Sequence, residues 1–207
     1  MKVLVVGGTG ALGGHAAIHL AAQGHEVSIG GRNPAHPATP MAAMPFLAGD
    51  YVAGDYTAER LAGFDWVVFA AGNDPRHVPR GADFAEFLYR ANHEAVPAFF
   101  AAARKAGVKR AIQLGSYYHQ AEPRLLEHNG YIRSRKAACE GARAEGAPGF
   151  DVITTAKGRQ RRVGGTASQR LAPHGKGSVR IPPSLPPGGT APSSCGRRLG
   201  VSCDGRP

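Results

Sequence analysis

Seven consecutive residues hold the densest chemistry in this 207-residue chain: Gly7, Gly8, Thr9, Gly10, Ala11, Leu12 and Gly13. Glycine at 7, 10 and 13 leaves backbone without side chains where a strand would turn into a helix. Gly7 permits a tight turn, Gly10 lets the main chain approach a diphosphate, and Gly13 lets the helix pack closely on the sheet, while the helix N-terminus offers N–H groups to the anion. Such a loop binds a dinucleotide when a strand precedes it and a helix follows. A second cluster, Gly30, Gly31 and Arg32, stands where these sites choose their cofactor. NAD sites place Asp or Glu there for the ribose hydroxyls, whereas a nearby Arg suits the 2′-phosphate of NADP. No carboxylate lies between Glu26 and Asp50, and Arg32 presents a charged planar fork. NADP is the expected cofactor, with NAD as the alternative.

The elements that must position these residues are legible around them. Lys2–Val6 is a short, β-branched apolar run ending at glycine, the pattern of a strand buried on both faces. Residues 11–23 carry Leu12, Ala16 and Leu20 near helical spacing, and Gly24 closes the segment. Further strands are expected at Glu26–Ile29, Trp66–Ala70, Ala111–Leu114 and Val152–Thr155, with helical patterns at Asp83–Lys105, punctuated by Pro97, and at Tyr131–Glu145. Strands alternating with helices, nearly continuous in apolar residues, predict an α/β fold: a Rossmann-type doubly wound parallel sheet. Ligands of such sheets bind beyond the carboxyl ends of the strands, so residues 7–13, 30–32, 70–74 and 114–118 should converge on one cleft.

Composition divides the chain. The first 155 residues carry 15 Lys and Arg against 14 Asp and Glu, together with all 15 aromatic residues. The remaining 52 carry 10 Lys and Arg against a single Asp, no aromatic residue, and 10 Gly, 7 Pro and 6 Ser. Little apolar surface is left there to offset chain entropy, so residues 156–207 read as a disordered, low-complexity basic tail behind an NAD(P)-binding domain at 1–155. An Arg/Pro/Gly/Ser mixture without period is also what a GC-rich coding sequence yields out of frame, and the tail is expected to be such a product rather than a nucleic-acid arm. No apolar run approaches the roughly 20 residues of a membrane helix. With three cysteines and no export signal, a cytoplasmic protein without disulfides is expected. Nine histidines show no compact ligand spacing apart from His15 and His19, so no metal is expected, and Ser116 lacks the Gly-x-Ser-x-Gly context of a hydrolase.

The glycine loop, Gly54-Asp55 after a third strand, Ala70-Ala71-Gly72 closing the next, Asn92 in the long helix, Val108-Lys109-Arg110 before the strand leading to Ser116, and Tyr131 with basic residues after it together resemble the short-chain dehydrogenase/reductase superfamily. The resemblance is closer to its extended or atypical members, the NAD-dependent epimerase/dehydratase-like proteins, and covers residues 1–155, about the N-terminal half of a typical member. It implies that Asp55 touches the adenine and that Ala70, Ala71, Gly72 and Asn92 serve the cofactor. It also implies that Ser116 and Tyr131 polarise a substrate carbonyl, with Tyr131 as proton donor. The family pattern is Tyr-x-x-x-Lys, whereas here Arg135 takes the lysine position and Lys136 falls one residue late. On a helix of about 100° per residue, four steps return near the tyrosine and five turn away, so Arg135 faces the site and Lys136 does not. Arginine supplies charge and hydrogen bonds but does not exchange a proton near neutral pH. The expected activity is NADP-linked oxidoreduction, or epimerase/dehydratase chemistry, on a small carbonyl or hydroxyl compound. A non-catalytic NADP(H)-sensing regulator and an inactive truncated product are the alternatives.

Overall fold

A computed structural model describes residues 1–155; the proposed tail lies outside the described residues. Along the chain run β1 (Lys2–Val6), α1 (Ala11–Ala22), β2 (Glu26–Gly31), β3 (Phe46–Ala48), α2 (Ala58–Leu61) and β4 (Trp66–Phe69). They are followed by α3 (Phe84–Leu88), α4 (Ala95–Lys105), β5 (Arg110–Gln113), α5 (Tyr118–Ala121), α6 (Leu125–His128), α7 (Gly130–Ala144) and β6 (Asp151–Thr154).

Six strands form one sheet in the order β3-β2-β1-β4-β5-β6, and every ladder is parallel. β1 is central, with Val3–Val6 paired to residues 27–30 on one side and to Trp66–Phe69 on the other. Because side chains alternate along a strand, β1 and β4 supply two cores at once. Leu4, Val6, Val67 and Phe69 pack under Val96, Phe99, Phe100, Ala103, Ala138 and Ala142, on the face that carries α4 and α7. Val3, Val5, Val27, Ile29 and Val68 pack on the other face with Ala17 of α1. The apolar runs read from sequence are therefore buried on both sides, as a doubly wound sheet requires.

The expected helix over 83–105 is interrupted. Between α3 and α4, Tyr89–Glu94 forms a π turn, and Asn92 within it is fully buried. Pro97 falls in the first turn of α4, where its missing N–H and its ring are tolerated. Pro97 also meets α7 closely, since a Cβ on Gly141 would collide with its ring.

Candidate functional site

The switch between β1→β2 and β1→β4 opens a cavity at the carboxyl edge of the sheet, of about 290 Å³. Its wall includes Gly7, Thr9 and Gly10 after β1, Gly31 and Arg32 after β2, Asp50 and Tyr51 after β3, and Ala70, Ala71, Gly72 and Asn73 after β4. Strand order alone brings these segments together: four neighbouring strands end along one edge, and each contributes the residues that follow it.

Each glycine of the loop has a distinct steric reason. Gly7 has φ +81°, and a Cβ there would lie 2.6 Å from the amide nitrogen of Ala71. A Cβ on Gly13 would overlap the carbonyl oxygen of Gly7, so α1 packs against the turn only with hydrogen at that position. Gly10 is different. Its nearest obstruction is the Gly7 oxygen at 3.4 Å, and it borders the cavity. It is also the N-cap of α1, and no side chain caps that helix. The first-turn N–H groups of a 12-residue helix are thus left for an anion. Gly8 is buried against Ile29, while Ala11, Leu12 and Gly13 form the first turn of α1 and do not themselves line the cavity. The residues present fit a diphosphate held by backbone.

At the β2 end, Arg32 borders both this cavity and a shallower hollow shared with Ala48, Gly49, Asp50 and Asp55. The two carboxylates are engaged by main chain: Oδ1 of Asp50 accepts from Val52 N at 2.9 Å, and Oδ2 of Asp55 accepts from Asp50 N at 2.8 Å. Among the described residues no ion pair neutralises Arg32. Asp55, expected at the adenine, borders only the flanking hollow, and Asp50 is the carboxylate at the main cavity. β3 ends at Ala48, so Gly49-Asp50 is the pair that directly follows the strand, whereas Gly54-Asp55 closes the turn beyond it.

Asn92, which the resemblance assigns to the cofactor, does not line the cavity. It is 0% exposed and lies behind the wall rather than in it. Its Nδ2 donates to the main-chain oxygen of Asn73 at 3.5 Å and to Ser134 Oγ at 3.1 Å, and its Oδ1 accepts from Nη1 of Arg135 at 3.4 Å. Tyr51, which sequence reasoning passed over, accepts a hydrogen bond from Asn73 Nδ2 at 2.9 Å and sets its ring edge-on to Phe69. Burial pushes the Tyr51 hydroxyl above the ordinary tyrosine range. The one signal for Tyr51 was its place directly after Gly49-Asp50.

The expected catalytic residues sit beyond the β4 side of the cavity. Ser116 is half-buried in the loop after β5, and Tyr131 is half-buried in the first turn of α7, whose N-cap Asn129 accepts from Ile132 N. Neither borders the cavity, so residues 114–118 do not join residues 7–13, 30–32 and 70–73 in it. β5 lies one strand further along the edge. Arg135 does turn inward and is 7% exposed, while Lys136 pairs with Glu140 at 2.8 Å on the outer side of α7. Its guanidinium lies against Gly72, where a Cβ would come within 3.2 Å of Nη1, and Nη2 donates to Leu114 O at 3.1 Å. The loop after β4 adds His77 to the wall, on a short turn capped by Asp74. Arg76 holds the Asp74 carboxyl down to about 2, chiefly through its side-chain hydrogen bonds. Among the described residues no group of three or more His, Cys, Asp or Glu could hold a metal ion, and no helix is long and apolar enough to cross a membrane.

A parallel sheet ordered 3-2-1-4-5-6, with a glycine turn and an uncapped helix at its switch point, defines a Rossmann-type protein. The model of the NAD dependent epimerase/dehydratase family matches residues 3–136, and the chain belongs to that family. Comparison with curated proteins gives no match. Among solved structures the chain is similar to MoeE5 in complex with UDP-glucose and NAD, at 25% identity and a TM-score of 0.57, over 74% of this chain and 53% of that one. It is similar in fold to a short-chain dehydrogenase/reductase superfamily protein from Agrobacterium tumefaciens with bound NAD (19%, TM-score 0.60, 74% and 48% covered). The same holds for the Bordetella bronchiseptica enzyme WbmG in complex with NAD (21%, TM-score 0.56, 74% and 52% covered). The chain spans about half the length of these structures.

Proposed function

We propose that this chain binds a nicotinamide dinucleotide across the carboxyl edge of its sheet, NADP in preference to NAD. The observation that carries the reading is the cavity in which the open backbone at Gly10, the uncapped start of α1 and Arg32, without an ion pair among the described residues, lie together. Family membership and the NAD in MoeE5 support dinucleotide binding; Arg32 supports the extra phosphate. Bound there, the nicotinamide would supply or take up a hydride at a small carbonyl or hydroxyl substrate. Tyr131 would give its hydroxyl proton to the substrate oxygen as charge develops there, and Ser116 would donate a hydrogen bond to the same atom. We assign the protein to a cytoplasmic setting, with a small molecule rather than nucleic acid or membrane as partner.

Arg135 favours a second reading, a nucleotide-responsive regulator. Its two amino groups are committed to Asn92 Oδ1 and Leu114 O, and a guanidinium does not pass protons near neutral pH. The first test is calorimetry with NADPH and NADH, because Trp66 stands at the amino end of β4 and is poorly placed to report on the opposite edge. NADPH binding that exceeds NADH binding in the wild type, and equals it in Arg32→Ala, supports the cofactor assignment. Absence of both ends it. Turnover lost in Tyr131→Phe with binding intact supports the enzyme; binding without turnover in the wild type supports the regulator.

A further inference from the structure

The cavity wall contains a hydrogen bond that joins two loops far apart in sequence. Asn73 Nδ2 donates to the hydroxyl of Tyr51 at 2.9 Å, linking the segment after β3 to the segment after β4. Both residues are 8% exposed, and both border the cavity. Along the sheet edge the strand ends follow the order β3, β2, β1, β4, β5. A diphosphate over the β1 loop therefore leaves one half of a dinucleotide toward β2 and β3, beside Arg32, and the other toward β4 and β5. Tyr51 comes from the first side and holds a residue of the second.

The bond does not end at Asn73. Its carbonyl oxygen accepts from Asn92, which also donates to Ser134 Oγ, and Ser134 Oγ donates to the main-chain oxygen of Tyr131 at 2.8 Å. Arg135 closes the set through Asn92 Oδ1. A polar strut thus runs from the buried Tyr51, Asn73 and Asn92 to the partly buried Ser134 and Tyr131 in the first turn of α7.

We infer that Tyr51 is a positioning residue for the second half of the dinucleotide: through Asn73 its hydroxyl fixes the 70–77 wall on which that half rests. This rests on the dinucleotide reading above. The hydroxyl does not touch the reacting atoms; it sets where Asn73, and with it Gly72 and His77, stand. Removing the hydroxyl leaves the buried Asn73 amide without its acceptor, so the wall is released while the ring stays packed on Phe69.

The test compares ADP, which reaches only the diphosphate and adenosine side, with whichever of NADPH and NADH the wild type binds more tightly, both by calorimetry on the full chain. Tyr51→Phe should weaken the dinucleotide about tenfold, the order expected when a buried donor loses its partner, and leave ADP binding within about twofold. Asn73→Ala should show the same split, and the double variant should lose little more than either single one, because both remove one bond. Thermal unfolding of each variant accompanies the titrations. Unchanged dinucleotide binding in Tyr51→Phe overturns the inference. So does an equal loss of ADP and dinucleotide, which marks general damage, and so does full additivity. A wild type that binds ADP but neither dinucleotide overturns it as well, while one that binds none of the three ends the dinucleotide reading on which it rests.

Discussion

Nη2 of Arg135 donates to the main-chain oxygen of Leu114 at 3.1 Å, which ties α7 to the carboxyl end of β5. The residue standing in the family's lysine position is therefore built into the wall. Lysine carries its three donors on one nitrogen at the end of a flexible stem, so it does not reproduce the two separate, fixed amino groups that the guanidinium gives to Asn92 Oδ1 and Leu114 O. Nε of Arg135 is buried without a partner, which offsets part of what the two bonds contribute. Arg135→Lys should cost about 1–2 kcal/mol of stability, the size of one or two such bonds less that offset. Urea denaturation measures it. A lysine variant as stable as the wild type would show that the guanidinium holds nothing.

Two adjacent glycines of α1 separate a steric requirement from helix propensity. Ala is favoured over Gly inside a helix by about 1 kcal/mol. At position 13 the new Cβ would overlap the Gly7 carbonyl, a main-chain group with no flexible end to yield. At position 14 the nearest atom is the terminal methyl of Met41 at 2.8 Å, which can swing aside. Gly13→Ala should therefore lose about 1–3 kcal/mol, the usual cost of overpacking, and lose dinucleotide binding with it. Gly14→Ala should stay within about 1 kcal/mol of the wild type and retain binding, since propensity and displacement oppose each other. Thermal unfolding and calorimetry on the pair decide it.

What sequence made legible follows from how local each signal is. β1, the glycine turn and α1 are contiguous, so apolar run, φ-permissive residue and helical spacing all report on one site. Helix geometry alone predicted that Arg135 faces the site and Lys136 does not; Arg135 is buried and Lys136 pairs with Glu140. β3 is three residues between Pro45 and Gly49, too short to show alternation. With its end unseen, Gly54-Asp55 was indistinguishable in type from Gly49-Asp50, the pair that directly follows the strand. Nothing in a linear pattern marks the π turn that carries Asn92, so its full burial was not legible. The Tyr51–Asn73 bond spans 22 positions and depends on two strand ends meeting, which only the sheet order reveals.

Asp74 should hold its charge to unusually low pH. Arg76 binds both carboxylate oxygens, its own main-chain N–H donates to Oδ1, and the carboxyl is held down to about 2. A depressed value in the fold means that the turn gains stability above the ordinary carboxylate range, and loses it as pH falls from about 4 toward 2. The side-chain carbon of Asp74, followed by NMR, should titrate near 2 in the wild type and several tenths of a unit or more higher in Arg76→Ala, about the scale on which a single charged partner acts. An unmoved midpoint would assign the effect to something other than Arg76.

At the alkaline end the informative group is Tyr56. Burial pushes its hydroxyl up to about 12, with the nearby Arg60 opposing and the Asp50 and Asp55 carboxylates adding to the shift. The ring lies beneath two glycines: a Cβ on Gly30 would stand 2.8 Å from Oη, and one on Gly49 would stand 3.1 Å from Cζ. The folded chain keeps a proton that the unfolded chain surrenders above about 10, so this contribution to stability is complete below that pH and is lost as pH rises to about 12. Tyrosinate absorbance should show a late step near 12 that vanishes in Tyr56→Phe, and the steep alkaline loss of stability should flatten in the same variant. Gly30→Ala should destabilise the wild type and do so less in the Tyr56→Phe background, because the phenylalanine lacks the oxygen that the new methyl meets first. Equal cost in both backgrounds would mean that the main chain around β2, and not the Tyr56 hydroxyl, is what demands glycine at position 30.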